Sequence, residues 1–506
     1  MPTERYRSEA PTIGLDHACE HLQAKKWSHT HKAPAMRATR QPSSGAAEAA
    51  ALVTGSETVG SWSSATDLGT KTVGISAVLF HTGEVLLFGK STGGVTVSYL
   101  YDPATGTGHE VQSPVNIWCG SVTPLSDGRM LSVGGANPVP KGTVNLWLFD
   151  PVTERWLRQP DTPLGRYYPT STRLADGRIL ITAGTQLNGT TKNPTVEVYT
   201  PPPPGGITGT LEVVGPTHVT NYYPWQWLMP DGKVLQVDGR KDYVLNPSNW
   251  SWATLPLLPS TSGAGAAGLM LPGGPAGSSQ VMTIGGLVKG VAQNKTFKYD
   301  YARPSAGWSI GRPMPTGRSH MNVVQVPDGS AFGIGGNSSG LYAQEQKQTM
   351  AYDPATDTWT NMAIQGPRRA YHSTALLLPD GRIMSAGDPG TGGGRQLVDF
   401  YSPPYLFQGP RPQIASAPDA VDYGDTFTIA TSGPTATQAV LMAPGSITHA
   451  VEMNARRVEL AVTKTTTGLT ATAPPAAGVA PPGYYMLFTL TADGIPSTAS
   501  WVHVGP

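Results

Sequence analysis

The chain has few cysteines, few charges and no long apolar run, and each shortage excludes a class of protein. Its 506 residues include two cysteines, Cys19 and Cys119, so a disulfide framework is excluded as the source of its stability. Charged residues make up 14% of the chain, and 35 basic against 34 acidic side chains form no basic stripe for nucleic acid or an anionic membrane. No apolar stretch approaches the roughly 20 residues that span a bilayer.

Turn-forming residues are, in contrast, abundant. With 60 glycines and 47 prolines and no long helical periodicity, the composition favours many short strands. At several places two apolar runs flank an Asp-Gly-type turn, which is the pattern of a β-hairpin. Seven such turns are present, the fifth of them degenerate: Thr82-Gly83, Asp127-Gly128, Asp176-Gly177, Asp231-Gly232, Gly273-Gly274, Asp328-Gly329 and Asp380-Gly381.

The spacing of these turns indicates a repeat. Successive turn aspartates are 49, 55, 97 and 52 residues apart, and the 97-residue interval holds the degenerate copy. A period near 50 with four short strands per copy is typical of kelch-type propellers. The sequence therefore predicts an all-β protein in which residues 59–408 form a seven-bladed kelch-type β-propeller.

The chain changes character on either side of this repeat. Beyond Pro403-Pro404 the Asp-Gly rhythm stops, and the Thr/Ala/Val-rich residues 409–506 predict an immunoglobulin-like (E-set) β-sandwich. Residues 1–58 lack the repeat and predict a flexible extension. No apolar segment of a secretory signal is visible in it, so the sequence gives no compartment. The extension contains four clustered histidines that we interpret as a solvated tail: His17, His21, His29 and His31.

One position of the repeat carries chemically unusual residues, called the register residues below. They lie eight positions before the turn aspartates and are Cys119, Tyr168, Tyr223, His320 and His372. A repeat fold places equivalent positions around one axis, so we expect this thiol, these phenols and these imidazoles to converge. The pattern indicates a metal or redox site.

Two imidazoles and two phenol oxygens would suit Cu(II), and four residues are the candidate ligands: Tyr168, Tyr371, His372 and His449. Neighbours in a regular strand point to opposite faces, so Tyr371 and His372 can reach one metal only where the backbone is irregular. His449 belongs to the C-terminal domain, and one of its hairpins would have to extend to the propeller axis. We expect His320 to line the channel or to contact a ligand without binding the metal.

Five motifs, taken in this order, resemble the copper radical oxidases of the galactose oxidase and glyoxal oxidase family, over about residues 58–506. They are Asn116-Ile-Trp-Cys-Gly, Arg166-Tyr-Tyr-Pro-Thr, Arg369-Ala-Tyr-His-Ser, Ser446-Ile-Thr-His and Pro481-Pro-Gly-Tyr-Tyr. The resemblance implies a thioether cross-link between Cys119 and Tyr168 that carries a tyrosyl radical. It also implies one copper ion per chain, held by Tyr168, Tyr371, His372 and His449.

The resemblance further implies the reaction. A primary alcohol, an aldehyde or a carbohydrate end would be oxidised by O₂ with release of H₂O₂, with Tyr371 as general base and Tyr168 as the radical that takes a hydrogen atom. Where galactose oxidase stacks an indole on the cross-linked tyrosine, this chain has Gln186, so we do not expect galactose as substrate. Trp225 and Trp227 are the alternative source of an indole, and packing within a blade is the other interpretation of both.

Two other functions are compatible with a propeller. A non-catalytic kelch propeller that binds a protein or glycan through its loops would not require the five candidate residues together. A hydrolytic, sialidase-like propeller would use Arg318, Arg368 and Arg369, but it would also need a carboxylate among the register residues, which have none. We therefore expect an oxidase that is monomeric and binds neither nucleic acid nor membranes, in a family whose members are usually exported.

Overall fold

The computed structural model describes residues 55–91, 97–136, 139–238, 241–255, 265–339, 343–387 and 396–506. These residues form an all-β protein, which confirms the predicted class: they contain ten β-sheets, a helical turn over Ser56–Val59 and 3₁₀ turns over Pro304–Ala306 and Pro404–Leu406. Within these ranges, no helix has the length and apolarity needed to cross a membrane. Most of the predicted extension, including Cys19 and its histidines, lies outside the described residues.

Seven sheets share one plan, in which an inner strand and its Asp-Gly-type turn begin an antiparallel meander. Sheets 1 to 4 consist of Thr72–Leu79, Val85–Ser91, Val97–Asp102 and Thr107–Gln112; Ser121–Pro124, Met130–Val133, Leu146–Asp150 and Arg155–Gln159; Tyr167–Arg173, Ile179–Thr185, Glu197–Thr200 and Thr210–Val213; Trp225–Leu228, Val234–Val237, Asp242–Asn246 and Ser251–Leu255. Sheets 5 to 7 consist of Ala267–Met270, Gln280–Ile284, Thr296–Asp300 and Trp308–Ile310; Asn322–Gln325, Ala331–Ile334, Gln348–Asp353 and Thr358–Ile364; Ser373–Leu377, Ile383–Gly387 and Leu397–Ser402. A small further sheet lies between sheets 5 and 6: Leu287–Val288, Val291–Ala292, Asn337–Ser339 and Ala343–Glu345.

The outer edge of sheet 7 comes from the other end of the repeat region. Ser61–Trp62 and Thr66–Asp67 both pair with Leu397–Ser402, with Trp62 opposite Tyr401. The Trp62 indole packs against the Tyr401 ring, with centroids 5.2 Å apart and planes tilted by 41°, and donates a hydrogen bond of 2.9 Å to Thr349 Oγ1. An early segment of the chain therefore completes a sheet that its later segments begin.

The C-terminal domain is built from two sheets around one apolar core. The first contains Gln413–Ser416, Thr426–Ser432, Ala461–Lys464 and Gly468–Thr472; the second contains Ala420–Val421, Gln438–Met442, Arg457–Glu459, Gly483–Leu490 and Ser500–Val504. Between them, Ser446–Thr448 leaves the domain and pairs with Ser76–Val78 of sheet 1. This hairpin extends from the C-terminal domain to sheet 1 and carries His449 at its tip.

The C-terminal domain docks on the side of the seven sheets that carries the Asp-Gly turns. Gly177 lies against Pro482, and Gly277 lies against Val479. The Arg456 guanidinium joins both parts by donating to Leu228 O (2.6 Å) and Gly478 O (2.9 Å). Because the register residues stand at the opposite ends of the inner strands, the hairpin must run along those strands to reach them.

Candidate metal centre

The register residues share an unusual backbone conformation. All five adopt positive φ, which non-glycine residues rarely do and which costs about 1–3 kcal/mol each. The degenerate fifth copy has glycine at the same point, Gly265 with φ 69°. The five φ values are 61° at Cys119, 62° at Tyr168, 43° at Tyr223, 54° at His320 and 70° at His372. The inner strands of sheets 2 to 7 are thus entered through a left-handed residue.

Backbone hydrogen bonds join these positions from one sheet to the next. The Tyr168 N–H donates to Cys119 O at 3.0 Å, and the Tyr223 N–H donates to Tyr168 O at 3.1 Å. The His320 N–H donates in the same way to Gly265 O at 2.7 Å. These bonds fix neighbouring register residues relative to each other and compensate part of the backbone strain.

The irregular backbone also explains how two adjacent residues face one site. In a regular strand Tyr371 and His372 would point to opposite faces. Here His372 has φ 70°, and the two ring centroids are 3.9 Å apart. The backbone is therefore irregular at this point, as it must be for Tyr371 and His372 to reach one metal.

The fourth candidate ligand lies at the tip of the C-terminal hairpin. His449 and Ala450 have φ 52° and 62°, and the Val451 N–H donates to Thr448 O at 2.8 Å. This is the geometry of a two-residue type I′ turn. The Thr448 hydroxyl is 2.7 Å from His449 Nδ1, which leaves Nε2 directed into the site.

The candidate residues come together in one cluster, in which His372 is partly exposed and the other four are buried. The ligand atoms of Cys119, His372 and His449 lie within 4.8 Å of one another, and Cys119 Sγ is 3.4 Å from His449 Nε2. The rings of His372 and Tyr168 are 4.8 Å and 5.0 Å from the His449 ring. The Tyr168 and Tyr371 hydroxyls are in hydrogen-bonding contact. A thiol, two phenols and two imidazoles therefore share one small volume.

Tyr168 is enclosed by other aromatic rings. Tyr167 stacks on one side at 4.1 Å and 15°, and Tyr223 stacks at 4.6 Å and 26°. Burial, together with the neighbouring Cys119, raises the pKa of the Tyr168 phenol well above its ordinary value. The phenol is consequently neutral in the metal-free protein, and a cation beside it would favour the phenolate.

Of the three residues predicted to surround the ligands, His320 lies beside one of them, whereas Trp225 and Trp227 lie in an apolar core. His320 lies 4.8 Å from the Tyr371 ring, edge to face, in agreement with a role beside a ligand. Trp225 and Trp227 instead stack on each other at 5.6 Å in an apolar cluster with Met229 and Leu235. Alternation along Trp225–Leu228 directs both indoles into that core, and the rings that stack on Tyr168 are those of Tyr167 and Tyr223. Gln186 donates to Lys192 O at 3.1 Å, within its own loop.

Three contributors to the site were missed from the sequence. Tyr167 is adjacent to the register residue Tyr168, and Thr448 is adjacent to His449, so both could have been found as neighbours of candidate ligands. Ser76 had none: it donates to Thr448 Oγ1 at 3.0 Å across 372 positions of the chain.

Comparison with known proteins places this site in a family. The sequence model described as "Glyoxal oxidase N-terminus" matches residues 89–393, more than half of the chain. The chain belongs to the glyoxal oxidase family. A second model, "Galactose oxidase-like, Early set domain", matches residues 411–504. The predicted family resemblance is thereby confirmed.

Relatives in this glyoxal oxidase family include fungal and plant proteins. The chain is 29% identical over 458 residues to a WSC domain-containing protein of Arthroderma benhamiae, 28% over 460 residues to the aldehyde oxidase GLOX of Vitis pseudoreticulata, and 27% over 471 residues to the galactose oxidase of Gibberella zeae. Each match covers 81–82% of this chain. The chain spans 48%, 86% and 65% of those relatives, respectively.

A solved structure has the same fold. A fungal alcohol oxidase in complex with copper superposes with a TM-score of 0.77, covering 88% of this chain and all of that one, at 23% identity.

Proposed function

We propose that this chain is a mononuclear copper radical oxidase that converts a primary alcohol or aldehyde and O₂ into the oxidised product and H₂O₂. The observation that carries the proposal is the convergence of Cys119, Tyr168, Tyr371, His372 and His449 from two domains into one cluster. Membership of the glyoxal oxidase family and relatives named aldehyde oxidase and galactose oxidase support the same chemistry.

The donor set fits copper. Two neutral imidazoles and two phenol oxygens are the tetragonal N,O set that Cu(II) prefers, and Tyr168, Tyr371, His372 and His449 would hold the ion. With its Nδ1–H donating to Thr448 Oγ1, the neutral His449 ring offers the Nε2 lone pair, as metal-binding histidines usually do. When bound, copper would polarise the substrate oxygen and accept one electron.

The proximity of Cys119 and Tyr168 supports a thioether between them. Both lie in one cluster and are linked by the backbone hydrogen bond between them. Formation of the bond removes the thiol hydrogen and one ring hydrogen of Tyr168, and O₂ takes up both as H₂O₂. The cross-linked ring, enclosed between Tyr167 and Tyr223, becomes an electron-rich group that loses one electron more readily than an ordinary phenol.

Tyr371 and Tyr168 have different roles in oxidation of the substrate. Tyr371, whose hydroxyl contacts that of Tyr168, takes the proton of the substrate hydroxyl as general base. The Tyr168 radical takes a hydrogen atom from the adjacent carbon. Overall the alcohol loses two hydrogens, and O₂ gains them as H₂O₂. An aldehyde reacts in the same way as its hydrate.

The finer architecture belongs to the same proposal. The seven four-stranded sheets form a closed seven-bladed kelch-type propeller over residues 59–408, followed by the sandwich of residues 409–506. Packing of Thr72–Leu79 of sheet 1 against Ser373–Leu377 of sheet 7 supports closure. We further propose a monomer whose small substrates reach the site from the side opposite the C-terminal domain.

Peptide mass spectrometry after incubation with copper and air tests this function. The expected result is a loss of two hydrogens in linked peptides containing Cys119 and Tyr168, with peroxide release from a small alcohol or aldehyde. Cys119→Ser is the matched control and should remain unlinked. Copper binding without linkage would reduce the site to a metal centre without radical chemistry, and absence of copper binding would favour a propeller that only binds a partner.

A further inference from the structure

The tip of the hairpin that carries His449 is strained. A type I′ turn requires positive φ at both central residues, which favours glycine, asparagine or aspartate there. This turn has His449 and Ala450 instead, with φ 52° and 62°. Such conformations are unfavourable for residues other than glycine and persist only where the surroundings impose them. The position of His449 therefore depends on contacts outside the turn itself.

One support acts at the tip. Ser76 of sheet 1 donates to Thr448 Oγ1 at 3.0 Å, and Thr448 Oγ1 is 2.7 Å from His449 Nδ1. This chain of hydrogen bonds sets the rotation of the imidazole. It does not hold the two strands of the hairpin together below the turn.

A buried carboxyl group provides that second support. Glu452 Oε2 accepts the Ser446 N–H at 2.6 Å, and Oε1 accepts the Ser446 hydroxyl at 3.2 Å. The Asn454 N–H also bonds to the Glu452 carboxyl. Glu452 follows the turn and Ser446 precedes it, so one side chain ties the strand that enters the turn to the strand that leaves it.

The surroundings make this tie difficult to replace with water. The carboxyl group lines a small cavity between the hairpin and the inner strands of sheets 6 and 7, beside Val324, Gln325 and Leu376. Gly445 lies so close to Leu376 that an added Cβ would be 2.8 Å from the Leu376 Cβ, so the hairpin cannot shift toward sheet 7. Loss of the carboxyl group would leave the Ser446 and Asn454 N–H groups buried without an acceptor, which is unfavourable.

We infer that Glu452 is a positioning residue for His449: it clamps the hairpin so that the strained tip presents Nε2 to the metal. The inference rests on the proposed copper centre. Glu452 itself contacts neither the ligand set nor the substrate side, and it acts through Ser446 and the turn.

Glu452→Met and Glu452→Gln form a matched pair for the test. Burial raises the pKa of Glu452 to about 8. Glutamine has the same length and keeps a carbonyl oxygen that can accept the Ser446 and Asn454 N–H groups, while its NH₂ group can donate to the Ser446 hydroxyl oxygen. Methionine keeps the length but offers no acceptor to the two N–H groups. Glu459→Gln, at a half-exposed position of the same domain, controls for loss of the acidic group.

Two readouts are measured on the full chain. Hydrogen exchange of residues 446–454 in the metal-free protein should be faster in Glu452→Met and unchanged in the other two variants. Competition with a copper chelator should give about tenfold weaker copper binding for Glu452→Met alone, the lower end of the loss expected when support of a metal ligand is removed. Adding Ala450→Gly to Glu452→Met should restore part of this affinity, because glycine relieves strain at the turn.

The two proposals fail in different ways. Exchange and copper affinity of Glu452→Met equal to wild type would overturn the clamp while leaving the copper centre intact. Absence of copper binding by the wild type would overturn the centre, and the exchange comparison would still decide whether Glu452 holds the hairpin. If Glu452→Met does not fold, Ser446→Ala removes only the hydroxyl bond, and unchanged exchange in that variant would count against the clamp.

Discussion

Tyr168 owes its properties to the residues on both of its faces. Tyr167 comes from the same strand, and Tyr223 comes from the register position of the next sheet. The Tyr223 hydroxyl donates to Gly120 O at 2.8 Å, which fixes the plane of its ring. A phenol held in this way stacks on Tyr168, where Trp225 and Trp227 had been considered as a source of an indole, and it would stabilise an oxidised Tyr168 through its π-electrons.

Replacement of Tyr223 should therefore shorten the life of the Tyr168 radical. Stacked aromatic pairs contribute about 0.5–1.5 kcal/mol beyond burial, so Tyr223→Leu should accelerate decay by up to about tenfold. Tyr223→Phe keeps the stack and should decay close to the wild-type rate. Decay of the radical signal, followed by electron paramagnetic resonance after chemical oxidation, measures the effect. Equal lifetimes for wild type and Tyr223→Leu would show that the ring is only a packing residue.

At this scale the sequence was informative wherever a residue occupied a repeated position. Cys119, Tyr168, His320 and His372 were found by counting back from a turn, because a repeat converts spacing along the chain into position in space. Trp225 was judged by strand alternation from Tyr223, but Tyr223 is left-handed, so alternation does not apply across it and the Trp225 side chain enters the core. Ser76 and Glu452 act through the fold of another segment, and no local pattern marks them.

At the scale of the strand and sheet, a buried arginine recurs just before the register residue. In sheets 3 and 7 it pairs with a buried acid on the third strand: Arg166 with Glu197 at 2.8 Å, and Arg369 with Asp399 at 2.7 Å. In sheet 6 the arginine is Arg318, which donates to Gly335 O and Gln348 O. Burial lowers its pKa to about 10, in keeping with a cation that has lost water without gaining a carboxylate.

Met350 occupies the position of the missing acid. It pairs with Gly333, as Glu197 pairs with Ile181 and Asp399 with Ser385, and each of these partners lies five residues after its turn aspartate. We expect Met350→Glu to be more stable than Met350→Gln by about 1.5–3 kcal/mol, because only the carboxylate forms a charged hydrogen bond with Arg318. Urea unfolding of the two variants measures this difference. A lower unfolding free energy for the glutamate variant would mean that sheet 6 cannot accommodate the pair.

Hairpins were the elements that the sequence predicted best. Asp-Gly turns between apolar runs depend on neighbouring residues alone, so their strands could be located from Asp127, Asp176 and Asp380 without knowledge of the fold. The pairing of Ser61–Trp62 with sheet 7 and of Ser446–Thr448 with sheet 1 joins distant segments. These short strands have no periodicity of their own, and tertiary packing determines them.

At the scale of the whole molecule, titration of Glu452, in the hairpin that carries His449, changes the free energy of unfolding. The pKa of Glu452 is about 8 in the folded protein and near 4.3 in an unfolded chain. Between these values the folded state binds more protons than the unfolded state, so stability falls as pH rises. The contribution of Glu452 is fully present below about pH 4 and is lost as pH passes about 8.

Glu452→Gln should remove this part of the pH dependence. We expect the urea midpoint of the metal-free wild type to fall between about pH 5 and pH 9 more steeply than that of Glu452→Gln, since the amide has no proton to lose. Glu459→Gln should keep the wild-type slope. Identical slopes for all three proteins would indicate that Glu452 has the same pKa in the folded and unfolded chains.

The strand Ser61–Trp62 has a consequence for how the protein is made. The Tyr401 hydroxyl of sheet 7 binds Val59 O, a partner 342 positions earlier in the chain. At a synthesis rate of roughly 5–20 residues per second, that early segment waits about 20 to 70 seconds on the ribosome before its partner strand emerges. Throughout that interval the segment has no sheet to join. When sheet 7 finally emerges, its outer edge stays open to intermolecular pairing until the waiting segment closes it.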